Sequence, residues 1–285
     1  MTTEVILTGT GVPHPRPGRA GAGVLIRHGE TALQFDAGRA TVMRLMEAGT
    51  PPHALSALFL THVHSDHVVG LADVVMTRWI QQQIVRSGPL VVVAPEGVAA
   101  RFVRRMLEPY DDDLALRVEH VGAEPIEVDL QPFDVPTSPA VVWTDARDAL
   151  KVLAVAVHHE PVPEAVAYRI ETPDATVVVS GDTRVCPEVE HLAAGADVLV
   201  HEACRKSAMA PLIAGTVYET IFDYHADTRA LGTMAARAGV PHVVLTHLIP
   251  PPDTPADAEL FAQDLRDGGY DGRITVGEDL TRVVV

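Results

Sequence analysis

The sequence is poor in cysteine, in aromatic residues and in long apolar runs. Of its 285 residues only two are cysteine, and 5% are Phe, Trp or Tyr. Two cysteines exclude a disulfide framework, and such scarcity is typical of a reducing cytoplasm. The longest apolar stretches, such as Val152–Val157, are too short to cross a bilayer. Because the first residues show no basic region followed by an apolar stretch, we expect no secretory signal, a cytoplasmic protein and no membrane partner.

Positive charge is also scarce. The chain has 22 Lys and Arg against 38 Asp and Glu, a formal net charge of −16. An acidic surface repels phosphate backbones, so the charge argues against long nucleic acid as a partner. What the chain does have is 14 histidines. Histidine is the commonest metal ligand, so the placement of these residues is the next question.

The order of apolar segments predicts a layered α/β fold. Strands meander first and then alternate with helices, and this order repeats in the second half, which favours one domain over residues 1–285 with stacked layers of helix and sheet. The strongest helical patterns are Ala37–Gly49, Val68–Val85, Glu96–Leu107, Thr228–Ala238 and Pro255–Gly268. We interpret Ala115–Val135 as strands, and both Asp111–Asp113 and Pro132–Pro139 as loops.

One short segment, Thr61-His-Val-His-Ser-Asp-His67, concentrates metal-binding side chains. It follows the apolar run Ala57–Leu60 and precedes a helical pattern. His62 and His64 have the spacing that places both imidazoles on one side of an extended chain. Asp66 and His67 come after the bend and point to a neighbouring position. The segment therefore predicts two metal ions roughly 3.5–4 Å apart, the spacing of two-metal hydrolases.

The pattern His-x-His-x-Asp-His resembles the signature of the metallo-β-lactamase superfamily. Further segments match that family in order along the chain, from about Thr8 to Pro250. They are Gln34-Phe-Asp-Ala-Gly38, Val155-Ala-Val-His-His159, Val178-Val-Ser-Gly-Asp-Thr183 and Val243-Val-Leu-Thr-His247. Gly9-Thr-Gly11, His201-Glu-Ala203 and His225-Ala-Asp-Thr228 resemble the ribonuclease Z-like branch. The resemblance implies a four-layer αββα sandwich with a dinuclear site at one edge between its sheets.

The resemblance also implies a set of metal ligands. His62, His64 and His159 would hold the first ion, Asp66, His67 and His247 the second, and Asp182 would bridge the two. His158 is the alternative to His159, which we favour because it keeps the expected distance to Ala167-Tyr-Arg169. Histidine and carboxylate ligands suit two Zn²⁺, with Mn²⁺ or Fe as alternatives.

Three residues carry predicted catalytic roles. Asp66 would also orient the nucleophilic hydroxide between the ions. His225, which the branch places in the active site, would stabilise charge or protonate the leaving group, and Glu202 would hold it in place. For Glu202 a plain loop carboxylate is the competing interpretation. Asp36 would accept a hydrogen bond from a ligand histidine and fix its tautomer, with a helix cap as the alternative.

The sequence departs in two ways from ribonuclease Z enzymes, which remove the 3′ trailer from precursor tRNA. Those enzymes insert a long tRNA-binding arm before the bridging aspartate, whereas His159 and Asp182 are separated here by 182 − 159 = 23 positions. With the acidic charge, this favours hydrolysis of a small ester-type substrate, such as an anionic phosphodiester or sulfate ester or a lactone. The alternatives are a ribonuclease Z-type endoribonuclease acting on tRNA precursors and a mononuclear iron sulfur dioxygenase-like oxidoreductase.

One apolar pattern in the sequence bears on the oligomeric state. Trp79 lies at helical spacing with Leu71, Val75 and Met76, which suits the core or a dimer interface. We expect a homodimer.

Overall fold

The computed structural model describes residues 2–147 and 149–285. Its strands are β1 Thr3–Gly9, β2 Gly23–His28, β3 Thr31–Phe35, β4 Ala57–Phe59, β5 Leu90–Pro95, β6 Val128–Phe133, β7 Ala140–Asp145, β8 Leu150–Ala156, β9 Val166–Glu171, β10 Thr176–Val179, β11 Val198–Cys204, β12 His242–Ile249, β13 Arg273–Val276 and β14 Arg282–Val284. Its α-helices are α1 Thr41–Glu47, α2 Ser65–Val68, α3 Leu71–Gln81, α4 Val98–Arg105, α5 Asp111–Val121, α6 Pro187–Ala193, α7 Lys206–Ile213, α8 Tyr218–Asp223, α9 Thr228–Ala238 and α10 Pro255–Asp267.

The strands of the described chain form two seven-stranded mixed sheets. The first has the order β14-β1-β2-β3-β4-β5-β6 and the second β13-β12-β11-β10-β9-β8-β7. Strands β3, β4, β5 and β6 run parallel in the first sheet, and β10, β11, β12 and β13 run parallel in the second. The carboxyl ends of parallel strands meet at one edge of a sheet, where α/β proteins commonly place ligands.

Three apolar clusters show how the layers stack. One cluster joins inward residues of both sheets and includes the stacked rings of Phe35 and Phe59, 4.8 Å apart, with Tyr168 beside them. A second packs α1, α3 and α4 against the outside of the first sheet. A third packs α6, α9 and α10 against the outside of the second. The arrangement is the predicted αββα sandwich.

Local sequence signals account for several boundaries. Asp227 caps α9 by accepting hydrogen bonds from the amides of Arg229 and Ala230, and Gly239 ends the helix with φ 67°. Helix α10 begins with a reciprocal capping box between Thr254 and Asp257. Such capped helices are positioned firmly against the sheet, which in turn fixes the loops at its edge.

Three of the expected elements differ in the structure. Within Ala115–Val135, expected to hold strands, residues 115–121 belong to helix α5 and only β6 is a strand. Asp111–Asp113 form the first turn of α5 rather than a loop, because negative charge is favourable at a helix N-terminus. The expected helix Val68–Val85 is two helices, α2 and α3, separated at Gly70, where the backbone packs against that of Gly38 too closely for a side chain. None of the described helices is long and apolar enough to cross a bilayer.

Candidate metal centre

The histidines and carboxylates singled out from the sequence meet at one edge of the sandwich. From the first sheet, Asp36 follows β3, the segment from His62 to His64 follows β4, and α2 carries Asp66 and His67. The second sheet supplies a side chain after β8, one after β10 and one within β12. These are His159, Asp182 and His247. Both sheets thus contribute to the same cluster.

Three imidazoles form the first group of donors. His64 Nδ1 lies 3.0 Å from His62 Nε2 and 3.0 Å from His159 Nε2. Three nitrogens this close together are near the spacing that one tetrahedral Zn²⁺ imposes, about 3.3 Å for Zn–N bonds of about 2.0–2.1 Å. The sequence-predicted residues of the first ion are therefore brought together.

The second group is centred on two carboxylate oxygens. Asp66 Oδ2 lies 3.2 Å from His247 Nε2 and 3.7 Å from His67 Nε2. Asp182 Oδ2 lies 3.3 Å from both of those nitrogens and 3.8 Å from His159 Nε2. Asp182 therefore sits between the two groups, where a bridging ligand has to be.

Asp36 fixes the orientation of His67 and of the segment after β4 by hydrogen bonds. Its Oδ2 accepts hydrogen bonds from His67 Nδ1 at 2.7 Å and from the Thr61 hydroxyl at 2.7 Å, and its Oδ1 accepts one from the Thr61 amide. Because Nδ1 of His67 is engaged by Asp36, Nε2 is the nitrogen that faces the cluster. The residue that sequence reasoning missed here is Thr61, although its place directly before His62 was visible.

The protonation states suit cation binding. Burial lowers the pKa of His62 well below its usual range, and it lowers the pKa of His64 to about 4. Both rings are therefore neutral at pH 7, the form that ligates metals. Burial also disfavours a charged His67, but the carboxylates of Asp182, Asp36 and Asp66 outweigh it and hold the pKa of His67 well above its usual range.

A metal fits this donor set on two further observations. His67 Nε2, which faces the cluster, is buried and has no hydrogen-bond partner among the described residues. Asp36, Asp66 and Asp182 are all at most 4% exposed. Buried carboxylates are stable only when paired with positive charge. Among the described residues no Lys or Arg hydrogen-bonds to them, and in the absence of metal the imidazolium of His67 supplies the neighbouring positive charge. The chemistry of the site therefore calls for cations.

A β-bulge aims His247 at the cluster. Glu202 pairs with Thr246 and Ala203 with Leu248, so His247 is an extra residue in β12 relative to β11. Its φ is 44°, an uncommon value for a residue other than glycine. Bulges beside active sites redirect a side chain, and strained backbone at such a place is typical of a functional residue.

His225 and Glu202 form a buried pair at the margin of the cluster. His225 Nδ1 donates to Glu202 Oε1 at 2.9 Å, and the Thr183 amide donates to the same oxygen. Burial alone would lower the pKa of His225, but the charge and hydrogen bond of Glu202 raise it to about 9. His225 is thus held protonated beside His159 and His247, with ring centroids 5.2 and 5.6 Å away.

Two neighbouring histidines of the sequence motifs lie outside the donor set. His158 points away and contacts Glu188 at 3.3 Å, and 43% of its side chain is exposed. His159 instead donates from Nδ1 to the Tyr224 carbonyl at 3.3 Å, which turns Nε2 toward the cluster. His201 is fully buried and bonded through Nδ1 to the carbonyl of Glu202, away from the donor groups.

A cavity of about 450 Å³ opens beside the donors. His14 and the loop after β1 line one side, and α7 and α8 line the other with Met209, Tyr218 and Phe222. This second wall, formed by α7 and α8, was not predicted from the sequence. The available signal was the pair Tyr218 and Phe222, which lie four residues apart and directly precede Tyr224-His225.

Comparison with known proteins identifies relatives over the whole chain. A ribonuclease Z from Mycobacterium bovis (strain BCG / Pasteur 1173P2) is 37% identical over 286 residues, covering 99% of this chain and 98% of the relative. A ribonuclease Z from Mycolicibacterium paratuberculosis is 36% identical over 285 residues, with the same coverage. Among solved structures, the metallo-beta-lactamase fold protein YhfI from Bacillus subtilis superimposes with a TM-score of 0.76 at 18% identity, and both chains are fully covered. Human tRNase Z, short form, gives a TM-score of 0.72 at 19% identity, with 98% of each chain covered.

The expectation that long nucleic acid is not a partner is wrong, because relatives matching the full chain are named for acting on RNA. The missing tRNA-binding arm was poor evidence against an RNA substrate. This chain and the Mycobacterium bovis ribonuclease Z are nearly equal in length, so the relative has no room for a long insertion either. Net charge was also misleading, because it sums the whole surface. Two arginines that form no ion pair among the described residues lie near this cavity, Arg19 on the loop after β1 and Arg39 on the segment packed against it. Arg16 and Arg44 there are paired with Asp253, Glu47 and Asp279.

The family assignment follows from these matches. The model of the Beta-lactamase superfamily domain matches residues 33–248, which include every donor described above. The full-length relatives at 36–37% identity narrow the assignment to the ribonuclease Z family within that superfamily. The chain belongs to the beta-lactamase superfamily and, within it, to the ribonuclease Z family, and it is a metal-dependent hydrolase.

Proposed function

We propose that this chain is a ribonuclease Z-type endoribonuclease that hydrolyses a phosphodiester bond of precursor tRNA. The observation that carries this proposal is the 37% identity over 99% of the chain to a protein named ribonuclease Z. The donor cluster supports it, because two-metal sites of this kind hydrolyse phosphodiesters. The function preferred from the sequence, hydrolysis of a small ester, gives way to this alternative.

Two divalent ions, Zn²⁺ by the nature of the donors, would occupy the cluster. His62, His64 and His159 would hold one, Asp66, His67 and His247 the other, and Asp182 both. Bound there, the ions supply an acidified water and polarise the phosphodiester. Retention of a donor set on both sides of Asp182 argues for two ions over the single iron of a dioxygenase-like enzyme.

The chain's own residues supply the proton and the orientation. Asp66 Oδ2 stands at the centre of the second group, where it can accept a hydrogen bond from the attacking water. His225 keeps one proton on Nδ1, bonded to Glu202, and presents the other at Nε2 to the cavity. A protonated imidazole at this place stabilises developing negative charge and protonates the leaving oxygen.

Small-ester hydrolysis is retained as a second candidate for one reason. The 450 Å³ cavity has the size of a small-molecule site and a largely apolar wall. An aryl phosphodiester would fit such a cavity, so activity on it alone does not decide between the two candidates.

The deciding experiment compares substrates after reconstitution with Zn²⁺ or Mn²⁺. We expect endonucleolytic cleavage of a tRNA carrying a 3′ trailer, and loss of that cleavage in Asp182→Ala. Hydrolysis of aryl sulfates or lactones by the metal-loaded protein, with no cleavage of the precursor, would overturn the proposal and restore the small-ester reading.

A further inference from the structure

The loop after β1, residues 10–22, forms one wall of the cavity beside the donors. Val12, Pro13 and His14 line that cavity, and residues 13–18 are all exposed. Val12 itself packs into a small buried apolar cluster. A segment with so little buried apolar surface is held mainly by its polar contacts, so the position of this wall depends on where the loop is anchored.

Asp279, on the segment between β13 and β14, joins the two ends of this loop. Its Oδ1 accepts hydrogen bonds from the amide and the hydroxyl of Thr10, at 3.0 and 2.8 Å. Its Oδ2 accepts one from the amide of Ala20 at 2.6 Å. The Asp279 side chain is only 5% exposed, and hydrogen bonds to an ionised acceptor are about twice as strong as neutral ones. One buried carboxylate therefore closes the loop at its base.

Arg44, on α1, extends this anchor toward the tip of the loop. Its Nε donates to Asp279 Oδ2 at 2.9 Å, and its Nη2 donates to the Gly18 carbonyl at 3.3 Å. At the tip itself, Arg16 pairs with Asp253, but those two side chains are 45% and 65% exposed. Exposed ion pairs contribute little to stability. The buried contacts of Asp279 and Arg44 are therefore the main anchor of the loop.

The metal donors nearest the loop are held by separate contacts. The Gly21 amide donates to the Arg39 carbonyl at 2.9 Å, and the Gly38 amide donates to the Ala22 carbonyl at 3.1 Å. Gly21 and Gly38 also pack against the backbone of Asp66 too closely for a side chain. These backbone contacts do not involve Asp279, so replacing it should displace the wall and leave the donors in place.

We propose that Asp279, together with Arg44, is a positioning residue that keeps the loop after β1 in the conformation that receives the RNA strand. A loop already ordered in its bound conformation avoids the entropic cost of ordering on binding. The apparent affinity falls with the fraction of molecules in the competent conformation. None of the proposed metal ligands lies on this loop, so it acts on binding and not on bond cleavage. This inference rests on the proposed function and adds to it a residue remote from the donors.

The test is the steady-state kinetics of Asp279→Asn, which keeps the size of the side chain and removes its charge. We expect KM for precursor tRNA to rise roughly 10-fold, because the competent loop is then populated in a minority of molecules. The value of kcat and the metal content should stay at the wild-type level. Arg44→Ala should also raise KM, and the double variant should raise it by less than the product of the two single effects, since both act through one anchor.

Asp145→Asn is the matched control. Asp145 is 7% exposed and accepts hydrogen bonds from the Thr31 hydroxyl and from Arg147, but it ends β7 on the edge opposite the metal centre. We expect its variant to keep the wild-type KM. Hydrogen exchange followed by mass spectrometry provides a readout without substrate. Exchange over residues 10–20 should become faster in Asp279→Asn and stay unchanged in Asp145→Asn.

Two results would overturn the positioning role of Asp279. One is an unchanged KM in Asp279→Asn and Arg44→Ala. The other is a fall in kcat or in bound metal without a rise in KM, which would place the effect at the donors. If Asp279→Asn does not fold, Arg44→Ala tests the same anchor, because it leaves the carboxylate bonded to both amides. If the wild type cleaves no precursor tRNA, the proposed function itself fails, whereas the exchange comparison still shows whether Asp279 orders the loop.

Discussion

At the scale of single residues, the donor set is mostly a local property of the chain. Four of the seven proposed ligands fall within six positions after one strand, so their spacing alone predicted a metal site. The choice between His158 and His159 depends on which way a strand end turns. That direction is set by the Tyr224 carbonyl, 65 residues further on, and could not be obtained from the sequence.

The two adjacent histidines provide a matched pair of variants. His159→Ala removes one of three converging nitrogens, so we expect bound metal to fall by about one ion per chain and activity by at least 100-fold. His158→Ala removes a half-exposed ring bonded to Glu188 and should change neither. Metal content by mass spectrometry and cleavage rates check both. Equal metal loss in the two variants would contradict the assignment.

The His225–Glu202 pair predicts the alkaline side of the pH profile. A proton donor is active only while protonated, so activity should decline as the pH rises through the pKa of His225. Glu202 raises that pKa to about 9, and Glu202→Gln removes its charge. The alkaline limb of kcat should therefore move to lower pH in the variant. The measurement is kcat between pH 6 and 10 at saturating metal, and an unmoved limb would argue that another group is titrating.

At the scale of elements, prediction succeeded where capping signals and periodicity agree. The expected bounds of α9, Thr228–Ala238, match the structure because Asp227 and Gly239 mark both ends. Helices α7 and α8 were missed, because all of their side chains are at least partly exposed and no buried stripe marks a face. The cavity wall formed by α7 and α8 could therefore not be predicted from sequence periodicity, although it borders the metal centre.

Glycine at position 232 lets α9 and α10 approach closely where they cross. A Cβ on Gly232 would overlap the backbone of Leu265, so the two helices could not approach as closely. We expect Gly232→Ala to lower the free energy of unfolding by about 1–3 kcal/mol, the usual cost of overpacking. Chemical denaturation measures this. Gly88→Ala is the control, since a Cβ there meets no atom within 4 Å, and it should be neutral.

At the scale of the whole molecule, the proposed function requires an acidic protein to bind a polyanion, which it would do through a few local cations. Arg39 is exposed and lies beside α2, which carries Asp66, whereas Arg273 begins β13 at the opposite end of the second sheet. Each phosphate contact adds roughly 0.7–0.9 to the slope of log affinity against log salt. Arg39→Gln should reduce that slope by about 1 for precursor tRNA, and Arg273→Gln should leave it unchanged. Binding titrations at several salt concentrations test this, and equal slopes would remove Arg39 from the interface.

The division of the proposed ligands between the two sheets makes the stability of the fold depend on bound metal. One sheet carries His62, His64, Asp66 and His67, and the other carries His159, Asp182 and His247. Bound ions would therefore cross-link two sheets that otherwise pack together mainly through apolar side chains. Stability then becomes a function of free metal concentration, gaining about 4 kcal/mol at a thousand times the dissociation constant. Chelation should lower the melting temperature of the wild type but not that of Asp182→Ala. Metal depletion would therefore lower the resistance of this protein to unfolding together with its activity.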